Sequence, residues 1–163
     1  MNAIELLKRQ HEETDRLFRE YARLSPGAHA HKRRLFARIA DELAAHAQIE
    51  EMYFYPAANS AETEELLLES AEEHLAVKRI VADLLDLPVT DETFDPKMKV
   101  LHDLIRHHVQ EEEEQLLPRV ARAVDAEALE DLGVQMEAEY ERLRQGEPRT
   151  NIPAETDYPA PIH

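Results

Sequence analysis

With 163 residues, three glycines, and neither cysteine nor tryptophan, the chain suits one helical domain long enough to bury a core. The absence of cysteine excludes disulfide frameworks, thiolate zinc sites, iron–sulfur clusters and thiol nucleophiles, so any metal must be held by nitrogen and oxygen. The net charge of −16 is uneven, with nine Lys/Arg against seven Asp/Glu in residues 1–45 and ten against twenty-eight thereafter; such a surface repels phosphate backbones and anionic lipid, which argues against nucleic acid and membrane as partners.

In chain order, a first helix is expected from about Asn2 to Leu24, broken by Ser25-Pro26-Gly27. A second begins near His29 and continues to about Ala58, with Pro56 in its last turn. Asn59-Ser60-Ala61-Glu62 reads as a capping box opening a third helix, which runs to about Asp86 and stops at Leu87-Pro88. Asp95-Pro96 marks the start of a fourth, with Asp as cap and Pro at the first helical position, extending to about Val124 with a bend at Pro118. Asp125 then caps a fifth helix through about Arg144. Residues 146–163 hold Pro148, Pro153, Pro159 and Pro161 and are expected as a tail, extended and disordered or draped over the rest. The division is therefore a bundle over residues 1–124, an additional C-terminal helix over 125–145 and the tail. Met1 to Glu5 lack the basic start and apolar run of a secretory signal, and no stretch approaches the roughly 18 apolar residues of a membrane span, so a soluble cytoplasmic protein is expected.

Across the first four helices one pattern occurs twice. His11 is followed 35 residues later by His46 and, four on, by Glu50; His74 is followed 34 residues later by His108 and, four on, by Glu112. A proline stands ten residues past each second histidine, at Pro56 and Pro118. Leu35, Ile39, Leu43, His46, Glu50 and Phe54 share one helical face, as do Leu101, Ile105, His108, Glu112 and Leu116. His11 aligns with Ile4, Leu7 and Phe18, and His74 with Leu67 and Val81. Short connections make consecutive helices antiparallel, and at about 1.5 Å rise per residue all six polar residues fall within a turn of one level. Burying four imidazoles and two carboxylates unpartnered would cost several kcal/mol, which a dinuclear cation site removes. An isolated His-x-x-x-Glu pair is adequately explained as an i,i+4 contact; the duplicated set on apolar faces is not.

These residues resemble the hemerythrin-like cation-binding family, often called the HHE domain, in which a lone His and an H-x-x-x-E alternate twice, one element per helix. Here the elements are His11 in RQHEE, His46 and Glu50 in LAAHAQIEEMYFYP, His74 in AEEHLAVK, and His108 and Glu112 in HHVQEEEEQLLP. The resemblance covers about residues 1–124. It implies an all-α up-and-down four-helix bundle around two non-haem iron ions per chain, bridged by the two Glu and an oxo or hydroxo group. It also implies O2, NO or peroxide as the small ligand. Oxygen-carrying hemerythrins have a further His four residues after the lone one on the third helix, where this chain has Lys78. With four His and two Glu, each iron keeps an open or water-filled position, which fits redox or peroxide chemistry or sensing better than oxygen carriage.

Other residues compete for roles. His107 and Glu111 form an H-x-x-x-E one residue out of register, on a more polar face, and His107 is expected beside the site or at the surface. Glu12, Glu13, Glu51, Glu72 and Glu73 flank the six and are candidates to orient imidazoles. His29, His31, His102 and His163 are expected at the surface. Tyr53, three residues past Glu50, is expected either in the core or hanging over the site as a phenol. The alternative function is an iron-responsive module whose metal-dependent folding controls a protein partner or a homodimer contact through the fifth helix or tail. A ferritin-like oxidase is disfavoured because no histidine has a Glu three residues before it.

Overall fold

The computed structural model describes residues 1–163, which form helices and connecting turns with no strand. The elements are α1 (Ala3–Ala22), α2 (His29–Ile49), a π-helical turn π1 (Glu50–Phe54), α3 (Tyr55–Ala58), α4 (Glu64–Leu85), α5 (Phe94–Glu111), a second turn π2 (Glu112–Leu116), α6 (Leu117–Ala123), α7 (Ala126–Arg144) and a 3-10 segment (Pro148–Glu155). α2, π1 and α3 form one continuous rod, as do α5, π2 and α6, so the architecture is an all-α four-helix bundle with a further helix and a C-terminal segment.

Two apolar clusters make the core, and a polar layer separates them. One gathers Leu6, Leu7, Ile49, Phe54, Leu67, Leu116 and Leu117 with Met136 and Tyr140 of α7; the other gathers Leu17, Phe18, Leu35, Ile39, Val81, Leu84, Phe94 and Leu101. His11, His46, His74 and His108 sit on the same faces between the two sets, each flanked along its helix by leucines, isoleucine, alanine or valine of both. Each rod is thus apolar at both ends of its buried face and interrupted at one level.

Both rods loosen at the same place. The N–H of Tyr55 bonds the carbonyl of Glu50, and that of Leu117 the carbonyl of Glu112, an i→i+5 pattern in place of i→i+4. Pro56 and Pro118 each follow six residues after the glutamate. Proline brings no N–H and crowds the carbonyl four residues earlier, so the turn before it widens and absorbs one extra residue. The faces beyond Glu50 and Glu112 are consequently rotated from where a regular helix puts them.

Two helix starts differ from the sequence expectation. α4 opens at Glu64 rather than from a box at Asn59–Glu62: the Thr63 hydroxyl donates to the Ala58 carbonyl at 2.6 Å and accepts from Ser60 N–H at 2.9 Å, closing the previous rod and the turn together. Asp95 is not a cap but lies in the first turn of α5, where it accepts from Tyr21 Oη at 2.6 Å and Lys32 Nζ at 2.8 Å. The tail is draped over the bundle and carries a 3-10 segment rather than being wholly extended. Pro148–Glu155 packs on α2 and α4, Ile152 and Ile162 are buried in the two apolar clusters, and Arg149 donates to Asp41 through both its backbone N–H (3.0 Å) and its guanidinium (2.8 Å). Apolar isoleucines among the prolines supply the burial that prolines alone do not.

α7 lies across α1 and α2. Its Gly133 permits this: a Cβ there would stand 2.4 Å from the Met1 carbonyl oxygen and 2.7 Å from the Asn2 carbonyl carbon. No helix is long and apolar enough to cross a membrane.

Candidate metal centre

The structure brings all six sequence-nominated residues together. His11, His46, Glu50 and Glu112 form one group of convergent donor atoms, and Glu50, His74 and His108 another, with Glu50 common to both. Glu50 Oε1 is 3.1 Å from His46 Nε2 and 3.2 Å from His74 Nε2; Glu112 Oε1 is 3.2 Å from His11 Nε2, and its Oε2 is 3.4 Å from His108 Nε2. Each carboxylate therefore faces one imidazole of either pair. The rings pair alike, His11 with His46 and His74 with His108, both with centroids 4.9 Å apart and an interplanar angle of 63°. Both carboxylate side chains are fully buried.

The orientation of the four imidazoles comes from a ring of acceptors. His11 Nδ1 meets Glu113, His46 Nδ1 meets Gln10 Oε1, His74 Nδ1 meets Glu51 and His108 Nδ1 meets Glu73, each at 2.7 Å. Every partner is an acceptor oxygen, so Nδ1 carries the proton and Nε2 presents its lone pair inward. Every partner also comes from the neighbouring rod: α1 serves α2, π1 serves α4, α4 serves α5, and π2 serves α1.

Inward lone pairs facing carboxylates are repulsive unless a cation or proton lies between them. His74 Nε2 and His108 Nε2 are 3.3 Å apart, while His11 Nε2, His46 Nε2, both Glu50 oxygens and Glu112 Oε1 are buried with no hydrogen-bond partner. The pKa shifts express the same frustration. Burial works to lower the His11 pKa, yet Glu112 and Glu113 push it up to about 9. Burial likewise opposes protonated His108, but Glu112 and Glu73 hold its pKa well above the imidazole range. Burial works to raise the Glu112 pKa, and His108 and His11 hold it well below the carboxylate range. An orphaned donor set of imidazole nitrogens and carboxylate oxygens, without sulfur, fits a metal that accepts N and O ligands.

Some of the flanking residues expected to orient imidazoles do so and others do not. Glu51 and Glu73 do hold imidazoles; Glu12 and Glu72 are exposed and Glu13 pairs instead with Arg16 and Arg38. Gln10 carries no expectation from the sequence, and the run Glu111–Glu114 reads as solvated face apart from Glu112, yet the repeat itself points to Gln10 and Glu113: Gln10 precedes His11 as Glu73 precedes His74, and Glu113 follows Glu112 as Glu51 follows Glu50. His107 is 62% exposed and contacts Glu111 and Glu73 at the rim. His102 is not a free surface residue but stacks on Phe18 (centroids 4.6 Å apart) and meets Asp15 at 2.8 Å. The phenol at the site is not Tyr53, which packs partly buried against the apolar cluster. It is Tyr55, whose Oη donates to Glu112 Oε2 at 3.1 Å and lies 3.2 Å from His74 Nε2. The extra residue of π1 carries Tyr55 onto the face of Glu50, a rotation invisible to a constant helical period.

A cavity of about 50 Å3 reaches the histidines, lined by Leu43, Val77, Ile105 and Val109 and by Pro148, Ile152 and Glu155 of the 3-10 segment. That volume is enough for a few water-sized atoms.

Comparison with known proteins agrees with this geometry. The family model for the hemerythrin HHE cation binding domain matches residues 2–120. An uncharacterized protein of Mycobacterium tuberculosis is 31% identical over 146 residues, covering 88% of both chains. A DNA nickase of Nostoc is 24% identical over 149 residues, but the chain spans only 41% of that protein's length. The crystal structure of a hemerythrin HHE cation binding domain-containing protein from Mycobacterium kansasii superposes with a TM-score of 0.77 at 26% identity, covering 89% of this chain and 88% of that one. The buried His/Glu layer, the bundle that carries it and the family match together show that the chain belongs to the hemerythrin HHE cation-binding domain family.

Proposed function

We propose that the protein is a non-haem di-iron protein of the hemerythrin type that binds, senses or reacts with O2, NO or peroxide. The observation that carries this reading is the placement of Glu50 and Glu112, each facing one imidazole of the His11/His46 pair and one of the His74/His108 pair. Two cations bridged by those carboxylates would relieve every orphaned inward atom at once. His11 and His46 would hold one ion, His74 and His108 the other. Iron in such a nitrogen and oxygen set supplies open coordination positions and electron exchange with small oxidants.

The chain's own residues do the remainder. Gln10, Glu51, Glu73 and Glu113 keep each Nε2 lone pair inward. Tyr55 directs a buried hydroxyl at Glu112, and burial followed by the charges of Glu112 and Glu50 keeps it protonated by raising its pKa well above the phenol range. The small apolar cavity favours diatomic and peroxide-sized ligands, and the net charge of −16 favours such a ligand over nucleic acid as partner.

Elemental analysis of the protein purified aerobically without a tag tests this. About two irons per chain is expected. Fewer than two irons per chain, persisting after anaerobic loading with ferrous iron, would overturn it.

A further inference from the structure

The repeat that builds the centre is broken beside it. Lys78 occupies the position, four residues past His74, that Asp15 occupies past His11. The Lys78 side chain is buried to 9% exposure, although it ends in an ammonium group. Its ammonium donates to Glu51 Oε1 at 3.0 Å, while the other oxygen of Glu51 accepts the Nδ1 proton of His74 at 2.7 Å. On its other side the same ammonium lies 3.1 Å from Glu155 of the 3-10 segment. Neither Glu73 nor Glu113, which hold His108 and His11, has a Lys or Arg ion-pair partner, and His46 is held by a neutral amide. Only His74 is connected through its acceptor to a buried cation.

That connection has an electronic consequence. A carboxylate accepting the Nδ1 proton makes an imidazole a stronger electron donor at Nε2. A cation on that carboxylate draws the negative charge away and reverses part of the effect, more so where water is excluded. Electron-poor ligands favour the reduced state of the metal they hold. We propose that Lys78 is a positioning residue that makes the two metal positions unequal. Acting through Glu51, it weakens donation from His74 and raises the reduction potential of the ion held by His74 and His108, to a degree set by how far Glu155 of the docked C-terminal segment shares its charge.

This inference rests on the di-iron reading, and the test separates the two. Full-length wild-type, Lys78→Met, Lys78→Arg and Glu155→Gln proteins are loaded with ferrous iron anaerobically, their iron counted, and both one-electron steps followed by spectroelectrochemical titration. Lys78→Met lowers the potential of one step and leaves the other in place; Lys78→Arg restores it. Glu155→Gln shifts the same step upward, because the ammonium is no longer shared. A residue that merely filled space would not move one step in opposite directions in the two variants. Unmoved steps, or shifts of both steps together with the same sign in both variants, would overturn the assignment. If Lys78→Met fails to load, Glu155→Gln decides alone, since that side chain is 39% exposed and its amide is isosteric; an unmoved step there overturns the proposal. Wild-type protein with fewer than two irons would overturn the di-iron reading first, and the inference with it.

Discussion

Tyr55 and Glu112 meet across the bundle interior, the phenol donating to the carboxylate at 3.1 Å from a position that only the π turn after Glu50 supplies. Neither group is exposed to water that could replace the other. Tyr55→Phe is expected to cost about 1.5–3 kcal/mol in the metal-free protein, the usual range for a hydrogen bond to a charged group. Tyr53→Phe, at a partly buried phenol outside the centre, is expected within about 0.5 kcal/mol of wild type. Urea unfolding of both variants checks this, and equal losses would contradict the placement of Tyr55.

The histidines differ in what their loss removes. His46→Ala and His108→Ala are expected to reduce bound metal well below the wild-type ratio and to lower the melting temperature, since metal that binds only the folded state stabilises it. His31→Ala, at an exposed residue, should change neither. His102→Ala should lower stability through the lost Phe18 stack and Asp15 contact while keeping full metal content. Metal analysis beside thermal melting separates the three outcomes, and chelation of wild-type protein should reproduce the melting shift of His108→Ala.

Gly133 marks where α7 touches the start of α1 backbone to backbone. Because a Cβ would stand 2.4 Å from the Met1 carbonyl oxygen, Gly133→Ala must push the two apart. A loss of about 1–3 kcal/mol is expected from such overpacking, with the metal ratio unchanged because no site residue lies on α7. A variant as stable as wild type would show that the helices separate freely.

Asp95 supplies the pH dependence. Partial burial works to raise its pKa, but Lys32 and Tyr21 hold it below the usual carboxylate range. The folded-state value is therefore lower than the unfolded value of about 3.9. Its stabilising contribution is fully present above that unfolded value and is lost as pH falls through the folded one. The stability gap between wild type and Asp95→Asn should be wide at neutral pH and narrow in acid. A gap that stays constant or widens toward low pH would contradict the assignment.

The helices, their approximate limits and the six donors on buried faces were legible from the amino-acid order alone. Helical period, proline and charge act locally, and four imidazoles with two carboxylates on apolar faces admit few arrangements. His108 was separable from His107 for the same reason: its face continues through Leu101, Ile105 and Leu116 into the core. The remaining features depend on contacts between rods or on departures from the helical period. The wide turn π1 placed Tyr55 rather than Tyr53 at the centre, and the packing of α1 against the second rod brought Glu113 to His11. The acceptors for all four imidazoles come from adjacent rods, so their pairing follows from packing order and not from neighbouring letters. The proline-rich tail lies against α2 and α4 because a few buried side chains, Pro148, Ile152 and Ile162, outweigh a composition that reads as unstructured.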